Sequence, residues 1–307
     1  MAVRRRDLGF GINSKRKTKR VINPDGSFNV IKEGNKFSYR DTYQALILMP
    51  WFRFMNLVLL SLVLINLIFT AIYMLIGLEY IQGITPDGPY NGFFQALYFS
   101  FQTFTTVGYG HLSPTGHLVS LIAALESMTG LVCFAVVTGL IYGRFSRPST
   151  RLMYSENIII SPYKGGGKAL MFRIANRRMS MLLELEAKVN LQITELKDGN
   201  YVRSYYRLKL ELDKIMFFPL NWTLVHVIDE ESPFYNMTEQ EFLSKDAEVL
   251  ILIKGFDDTF GQEVHSRYSY TEEDFVWDVK FKLPYETIES GDVVFHMDRL
   301  NEYEKVN

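Results

Sequence analysis

The sequence predicts a membrane protein of two parts: an α-helical domain of two spans with a short re-entrant helix between them, followed by an all-β sandwich. Three observations predict it. From Phe54 to Gly143 there is no Lys or Arg, and only three acids, Glu79, Asp87 and Glu126, whereas soluble domains carry charge at roughly one residue in four. Two apolar runs within that stretch bracket a loop, Thr105–Gly110, made of threonine, valine, tyrosine and two glycines. Beyond Tyr154 the pattern becomes a series of short β-branched and aromatic runs separated by turn residues.

Charge is polarised along the chain. Residues 1–53 carry 12 Lys/Arg against 4 Asp/Glu, and residues 144–307 carry 21 against 27. Residues 1–38 read as a basic, largely disordered arm, with Arg4 to Arg20 drawn to an anionic membrane surface. Its roughly 40 polar residues do not have the form of a signal peptide. Residues 39–50 are amphipathic and adjoin the first span, which predicts an interfacial slide helix ended by Pro50. Trp51 falls at headgroup level. The first span is placed at Phe54–Leu78, 25 residues without a charge, long enough to cross a bilayer with some tilt. The second is placed within 115–146. Arg40 and Arg53 precede the first span, Arg144, Arg147 and Arg151 follow the second, and the connection has no basic residue. The positive-inside rule then puts both termini in the cytoplasm and residues 79–117 outside. The same arginines are candidates for binding anionic lipid headgroups, or serve orientation alone.

Between the spans, residues 93–103 are apolar and aromatic but too short to cross, and predict a re-entrant pore helix. Irregular backbone at membrane depth is tolerated where it is buried in protein or lines a water-filled path, so Thr105, Thr106, Val107, Gly108, Tyr109 and Gly110 should line a pore. An ion entering a narrow path exchanges its water for other oxygens, and potassium-channel filters supply backbone carbonyls from four Thr-Val-Gly-Tyr-Gly loops. Gly108 and Gly110 allow the positive φ that turns carbonyls to one side. Thr105 or Thr106 can add a hydroxyl, while Val107 and Tyr109 are expected to pack against the pore helix. One loop cannot enclose an ion, so the unit must be oligomeric.

The β part, residues 148–307, predicts strands near 157–160, 169–174, 188–193, 201–212, 222–228, 248–253 and 274–281, an antiparallel sandwich. With the filter loop and three further motifs on the page, the chain resembles the inward-rectifier potassium channels, the prokaryotic branch in particular. The motifs are Arg173–Arg177, Trp222-Thr-Leu-Val-His-Val-Ile-Asp-Glu-Glu-Ser-Pro-Phe-Tyr235, and Gly255 through Ser269-Tyr270 to Trp277. The resemblance implies a homotetramer, an immunoglobulin-like cytoplasmic sandwich (residues 148–307) that extends the pore of residues 51–147, a bacterial inner-membrane location, and inhibition by phosphoinositides. Gln102 and Leu112 stand where animal members have a paired acid and arginine. Phe134 stands where strong rectifiers have an acid.

Phe134, Thr138 and Tyr142 share one helix face, so Phe134 and Tyr142 are candidate hydrophobic constrictions. Gly130 and Gly139 are candidate hinges, although Gly130 equally suits close helix packing. Glu126 is the one acid within a span; it either bonds to a pore-helix residue behind the filter or faces a cavity and attracts cations. Asp258, Glu239 and Glu241 are candidates for acids lining a cytoplasmic vestibule. Lys164–Lys168 lacks phosphate-loop spacing, the histidines lack metal spacing, and no nucleophile and base cluster. The chain is therefore not expected to be an enzyme, to bind nucleic acid, or to need a cofactor beyond permeant potassium ions.

Overall fold

The computed structural model describes residues 4–5, 7–14, 20–31, 33–34, 39–85, 91–147, 150–178, 180–243 and 245–306. The chain forms two units. One comprises residues 34–147; the other joins residues 1–33 to 148–307.

In the first unit, α1 (Tyr39–Leu48) ends before Pro50, whose ring disfavours helix in the residue ahead of it, and α2 (Trp51–Ile76) starts directly after it. Gly77, at φ 126°, ends α2. The pore-helix segment is α3 (Gly92–Phe104), whose Asn91 side chain accepts the Phe94 N–H as an N-cap. At 13 residues it is about 20 Å long and cannot cross a membrane. The last helix, α4 (His117–Phe145), runs unbroken through Gly130 and Gly139. Helices α2 and α4 have mean hydropathies of 2.5 and 1.9 in their most apolar windows and are long enough to span a bilayer. The α2–α3 and α4 connections are joined by a two-residue ribbon, Ile81–Gln82 against Ser113–Pro114.

The second unit is a two-sheet sandwich. For brevity its main strands are β1 (Leu152–Tyr154), β2 (Ile158–Pro162), β3 (Lys168–Asn176), β4 (Leu182–Lys197), β5 (Asn200–Leu208), β6 (Lys214–Phe217), β7 (Asn221–Ile228), β8 (Ala247–Asp257), β9 (Gln262–Thr271) and β10 (Phe275–Trp277). One sheet has the central order β5-β4-β8-β9, with β6 also on β4; the other has β7-β3-β2-β10, with β1 also on β3. All these pairs are antiparallel except β10 on β2, which is parallel. Alternate residues face the shared core, as the two-residue period of a strand requires: Leu185, Ala187, Val189, Leu191 and Ile193 from one sheet meet Leu170, Phe172 and Ile174 from the other. The Asp198-Gly199 turn between β4 and β5 has φ of 50° and 75°, the two positive values that a tight hairpin turn needs. The sequence-predicted strand at 274–281 breaks at Asp278, φ 54°, and β9 and the short helix α5 (Glu239–Leu243) had no separate counterpart among the predicted elements.

The basic arm departs from expectation. Its described part is ordered: Asn13–Ser14 pairs with β5, and Val21 and Ile22 are buried with Tyr205 and Leu250. The Glu248 carboxylate accepts the Val21 N–H at 3.0 and 2.9 Å and the Ile22 N–H at 3.3 Å. Two apolar residues and one buried acid thus hold a segment that charge alone would leave in solvent. Residues 15–19 of the arm lie outside the described residues.

The Trp222–Tyr235 motif is a staple between strand and turn. His226 Nδ1 donates to the Lys209 carbonyl at 2.7 Å, and Nε2 lies 2.9 Å from the Ser232 hydroxyl, which also accepts the Phe234 N–H. Burial lowers the His226 pKa, outweighing the opposing Lys209 bond and Asp229 charge. A histidine whose folded pKa lies below its unfolded value binds its proton preferentially when unfolded, so this contribution to stability is complete above about pH 6.5 and falls as pH drops below it. The thermal midpoint of the detergent-purified protein should therefore fall more between about pH 7.5 and pH 5.5 in wild type than in His226→Gln. Burial raises the Glu248 pKa and gives the opposite slope, but equally in both proteins. Parallel slopes would remove His226 as a source of acid sensitivity.

Candidate functional site: the loop after the re-entrant helix

The Thr105–Gly110 loop hangs from the C-terminus of α3. The last carbonyls of a helix lack intrahelical partners, and here the loop supplies them. The N–H of Thr105 donates to the Phe101 carbonyl at 3.0 Å, that of Thr106 to Thr103 at 3.1 Å, and those of Val107 and Gly108 to Gln102 at 3.0 and 3.4 Å. In a planar trans peptide the C=O opposes the N–H, so the carbonyls of Thr105, Thr106 and Val107 turn away from the helix. Positive φ recurs at every second residue: Thr106 58°, Gly108 52° and Gly110 82°. Threonine is β-branched and uncommon in this region, and such a conformation costs on the order of 1–3 kcal/mol. Sequence reading placed positive φ at the two glycines and missed Thr106. The Thr105 hydroxyl donates to the Phe101 carbonyl at 2.6 Å.

Val107 and Tyr109, expected against the pore helix, are 52% and 79% exposed in the single chain.

Behind α3 lies a buried polar network. Glu126 on α4 accepts the Ser100 hydroxyl of α3 at 2.5 Å and the Tyr73 hydroxyl of α2 at 2.6 Å. Ser100 Oγ also lies 3.1 Å from Asn66 Oδ1. Glu126, Ser100, Tyr73 and Asn66 are all at most 1% exposed. Of the two readings of Glu126, the bond to a residue of α3 is the one these contacts support, and its side chain is fully buried within the chain. Next to Glu126, the Ser127 hydroxyl donates to the Thr103 carbonyl at 3.2 Å. A Cβ on Gly130 would overlap the Phe104 carbonyl oxygen, so Gly130 serves close approach of α4 to α3. A Cβ on Gly139 would meet nothing within 4 Å. The sequence signal for this network was the stripe Asn66, Thr70 and Tyr73, polar residues at i, i+4 and i+7 in an apolar span.

Thr105 and Thr106 open onto a largely apolar cavity of about 490 Å³, lined also by Leu131, Cys133, Phe134 and Val137 of α4. Phe134 and Tyr142 are 74% and 73% exposed on α4.

The arginines divide. Arg53, Arg147 and Arg151 are exposed, and the Arg40 side chain lies outside the described residues. Arg144 is occupied instead. Its guanidinium donates to the carbonyls of Leu46, Ile47 (3.0 Å) and Met49 (2.6 Å) at the end of α1, and stacks over Phe54 (4.6 Å) and Trp51 (5.3 Å). A cation at a helix C-terminus is favourable, and this one spends its donors within the chain rather than on headgroups.

The three candidate vestibule acids are not brought together. Asp258 is exposed at the tip of the β8–β9 hairpin. Glu239 and Glu241 lie in α5, before the start of β8. The 11 residues of β8 separate the two ends by about 35 Å. Glu241 caps its own helix, accepting the Thr238 N–H and hydroxyl at 2.9 Å each.

Known proteins match both units. The family profile "Inward rectifier potassium channel C-terminal domain" matches residues 152–307, and the profile "Ion channel" matches residues 60–147. The chain is 30% identical to inward rectifier potassium channel Kirbac3.1 of Paramagnetospirillum magnetotacticum, over 95% of this chain and 98% of that one. It is 27% identical to the G protein-activated inward rectifier potassium channel 2 of Rattus norvegicus, over 91% of this chain and 70% of the relative. Identity to inward rectifier potassium channel 4 of Homo sapiens is 30%, over 62% and 45%.

The contrast between the two glycines is measurable. Gly130→Ala should destabilise the purified protein by about 1–3 kcal/mol, the cost of overpacking, whereas Gly139→Ala should change stability by less than about 0.5 kcal/mol. Detergent-titrated unfolding midpoints decide it, and an unaffected Gly130→Ala would mean the helices can part there freely.

Proposed function

Because the chain belongs to the inward rectifier potassium channel family, we propose that it passes potassium ions through carbonyl oxygens of Thr105–Gly110 contributed by four copies around one axis. The chain is a membrane channel and not an enzyme. The observation that carries the filter reading is the alternation of positive φ at Thr106, Gly108 and Gly110, together with the N–H groups of residues 105–108 given to α3. Carbonyls freed in this way are oriented donors of electron density that can replace an ion's hydration shell. Exposure of Val107 and Tyr109 on a single chain supports assembly, since neighbouring copies supply the apolar contacts that their own chain does not.

Phe134 and Tyr142 act as the constrictions. Phe134 borders the same cavity as Thr105 and Thr106, and Tyr142 lies on the same helix face, eight residues nearer the end of α4. Rings of such side chains close a pore by excluding water. Gly139, free of packing demands within the chain, is the hinge. The β domain continues the pore on the cytoplasmic side of a bacterial inner membrane, with both termini there and Asp258 at the vestibule. Exposed Arg53, Arg147 and Arg151 meet anionic headgroups, and phosphoinositides inhibit.

Liposomes containing the purified protein should take up rubidium or potassium in preference to sodium, and barium should block the uptake. Gly108→Ala should abolish selective uptake, since a Cβ strains the left-handed backbone there; selective flux in that variant would end the filter assignment. Phe134→Ala or Tyr142→Ala should raise basal flux, and unchanged flux in both would leave them as packing residues.

Lipid control is separately testable. Replacing Arg53, Arg147 and Arg151 with Gln should weaken phosphoinositide inhibition, while Arg144→Gln should lower thermal stability by loosening α1. Inhibition unchanged in the triple variant would reject these arginines as the lipid site.

A further inference from the structure

We infer that Glu126 and Ser100 are positioning residues for ion selection: their hydrogen bond sets where α3 stands, and α3 sets where the loop carbonyls stand. This rests on the filter reading of Thr105–Gly110.

The chain of contacts is continuous. Glu126 reaches α3 at Ser100, one residue before Phe101, whose carbonyl accepts the first loop N–H. Gln102 and Thr103 accept the next three. The carbonyls of Thr105, Thr106 and Val107 are thus fixed relative to the last turn of α3, each by a peptide whose N–H is bonded to that turn. The position of α3 is in turn fixed by three adjoining contacts on one face of α4: Glu126 to Ser100, Ser127 to the Thr103 carbonyl, and Gly130 against Phe104. The first of these is also tied to α2 through Tyr73.

The chemistry explains why a carboxylate stands here. Ser100 and Tyr73 each bring one hydroxyl proton from a different helix, and a carboxylate has two oxygens to receive them. Both contacts, at 2.5 and 2.6 Å, are short O–H···O hydrogen bonds. A glutamine offers one acceptor and two donors, so it keeps the shape while weakening one bond. An alanine leaves the Tyr73 hydroxyl without this acceptor in a dry site and releases Ser100 to Asn66, which holds it to α2 instead of α4. The only titratable group of the described residues that bonds Glu126 is Tyr73; no ion pair joins it, which suits a bracket of directional bonds rather than a charge pair. Selection between ions differing in size by fractions of an ångström depends on such a bracket.

The test measures potassium and sodium uptake into liposomes by wild type, Ser100→Ala, Glu126→Gln and Glu126→Ala, with Gly108→Ala as the filter control and thermal midpoints recorded for all. Ser100→Ala should lower the potassium-to-sodium uptake ratio by about three- to tenfold, the equivalent of one buried hydrogen bond. Glu126→Gln should lie between wild type and Ser100→Ala, and Glu126→Ala below both. A wild-type ratio in Ser100→Ala and Glu126→Gln would overturn the proposal, whatever their stability. If Glu126→Ala does not assemble, Ser100→Ala carries the decision, since it removes one oxygen only. Non-selective wild type, or selective Gly108→Ala, would instead refute the filter reading itself, so the two failures are distinguishable.

Discussion

A carbonyl oxygen can be offered to an ion only if no N–H has claimed it, and only if its own N–H partners are satisfied elsewhere. For residues 105–108 of the loop the second condition is met by the end of α3, whose final carbonyls are the ones a helix leaves over. The surplus acceptors of one element are thereby matched to the surplus donors of the next. Left alone, either set would be costly at membrane depth. The re-entrant helix and the irregular loop are for this reason a single unit. Neither is stable in an apolar setting without the other.

That unit needs a fixed seat, and the seat is polar. Asn66, Tyr73, Ser100 and Glu126 come from three helices and are sealed from solvent. Gly130 lets α4 approach the Phe104 carbonyl more closely than any Cβ would allow. Hydrogen bonds give direction where apolar packing between spans gives only proximity, because lipid tails compete equally well for apolar surface.

Much of this was legible before any coordinates. The spans, the short helix and the β-rich half follow from charge depletion, run length and turn residues, which are local properties. The loop was legible because its glycines announce positive φ. Thr106 was not: its φ goes with the N–H bonds of Thr106 and Val107 to Thr103 and Gln102, a helix-end geometry that overrides residue preference. Val21 and Ile22 were read as part of a disordered arm because two apolar residues among charges carry no period; their burial depends on Glu248, more than two hundred residues later. Arg144 was read as a lipid ligand from its place at a span's end. Its true acceptors exist only because Pro50 stops α1 and leaves three carbonyls beside it. The separation of the three candidate acids was not legible either: the sequence distance between Glu241 and Asp258 is small, but a straight strand converts it into nearly its full length.

Arg144 lies two residues beyond Tyr142 and grips the end of α1 by its backbone. Backbone carbonyls are present whatever the side chains, so the grip asks of α1 only that it end before Pro50, and of α4 only the arginine. The two helices share a pinned joint. A displacement of α1 therefore acts directly on the last turn of α4. The joint carries load between the two helices without any side chain of α1 taking part.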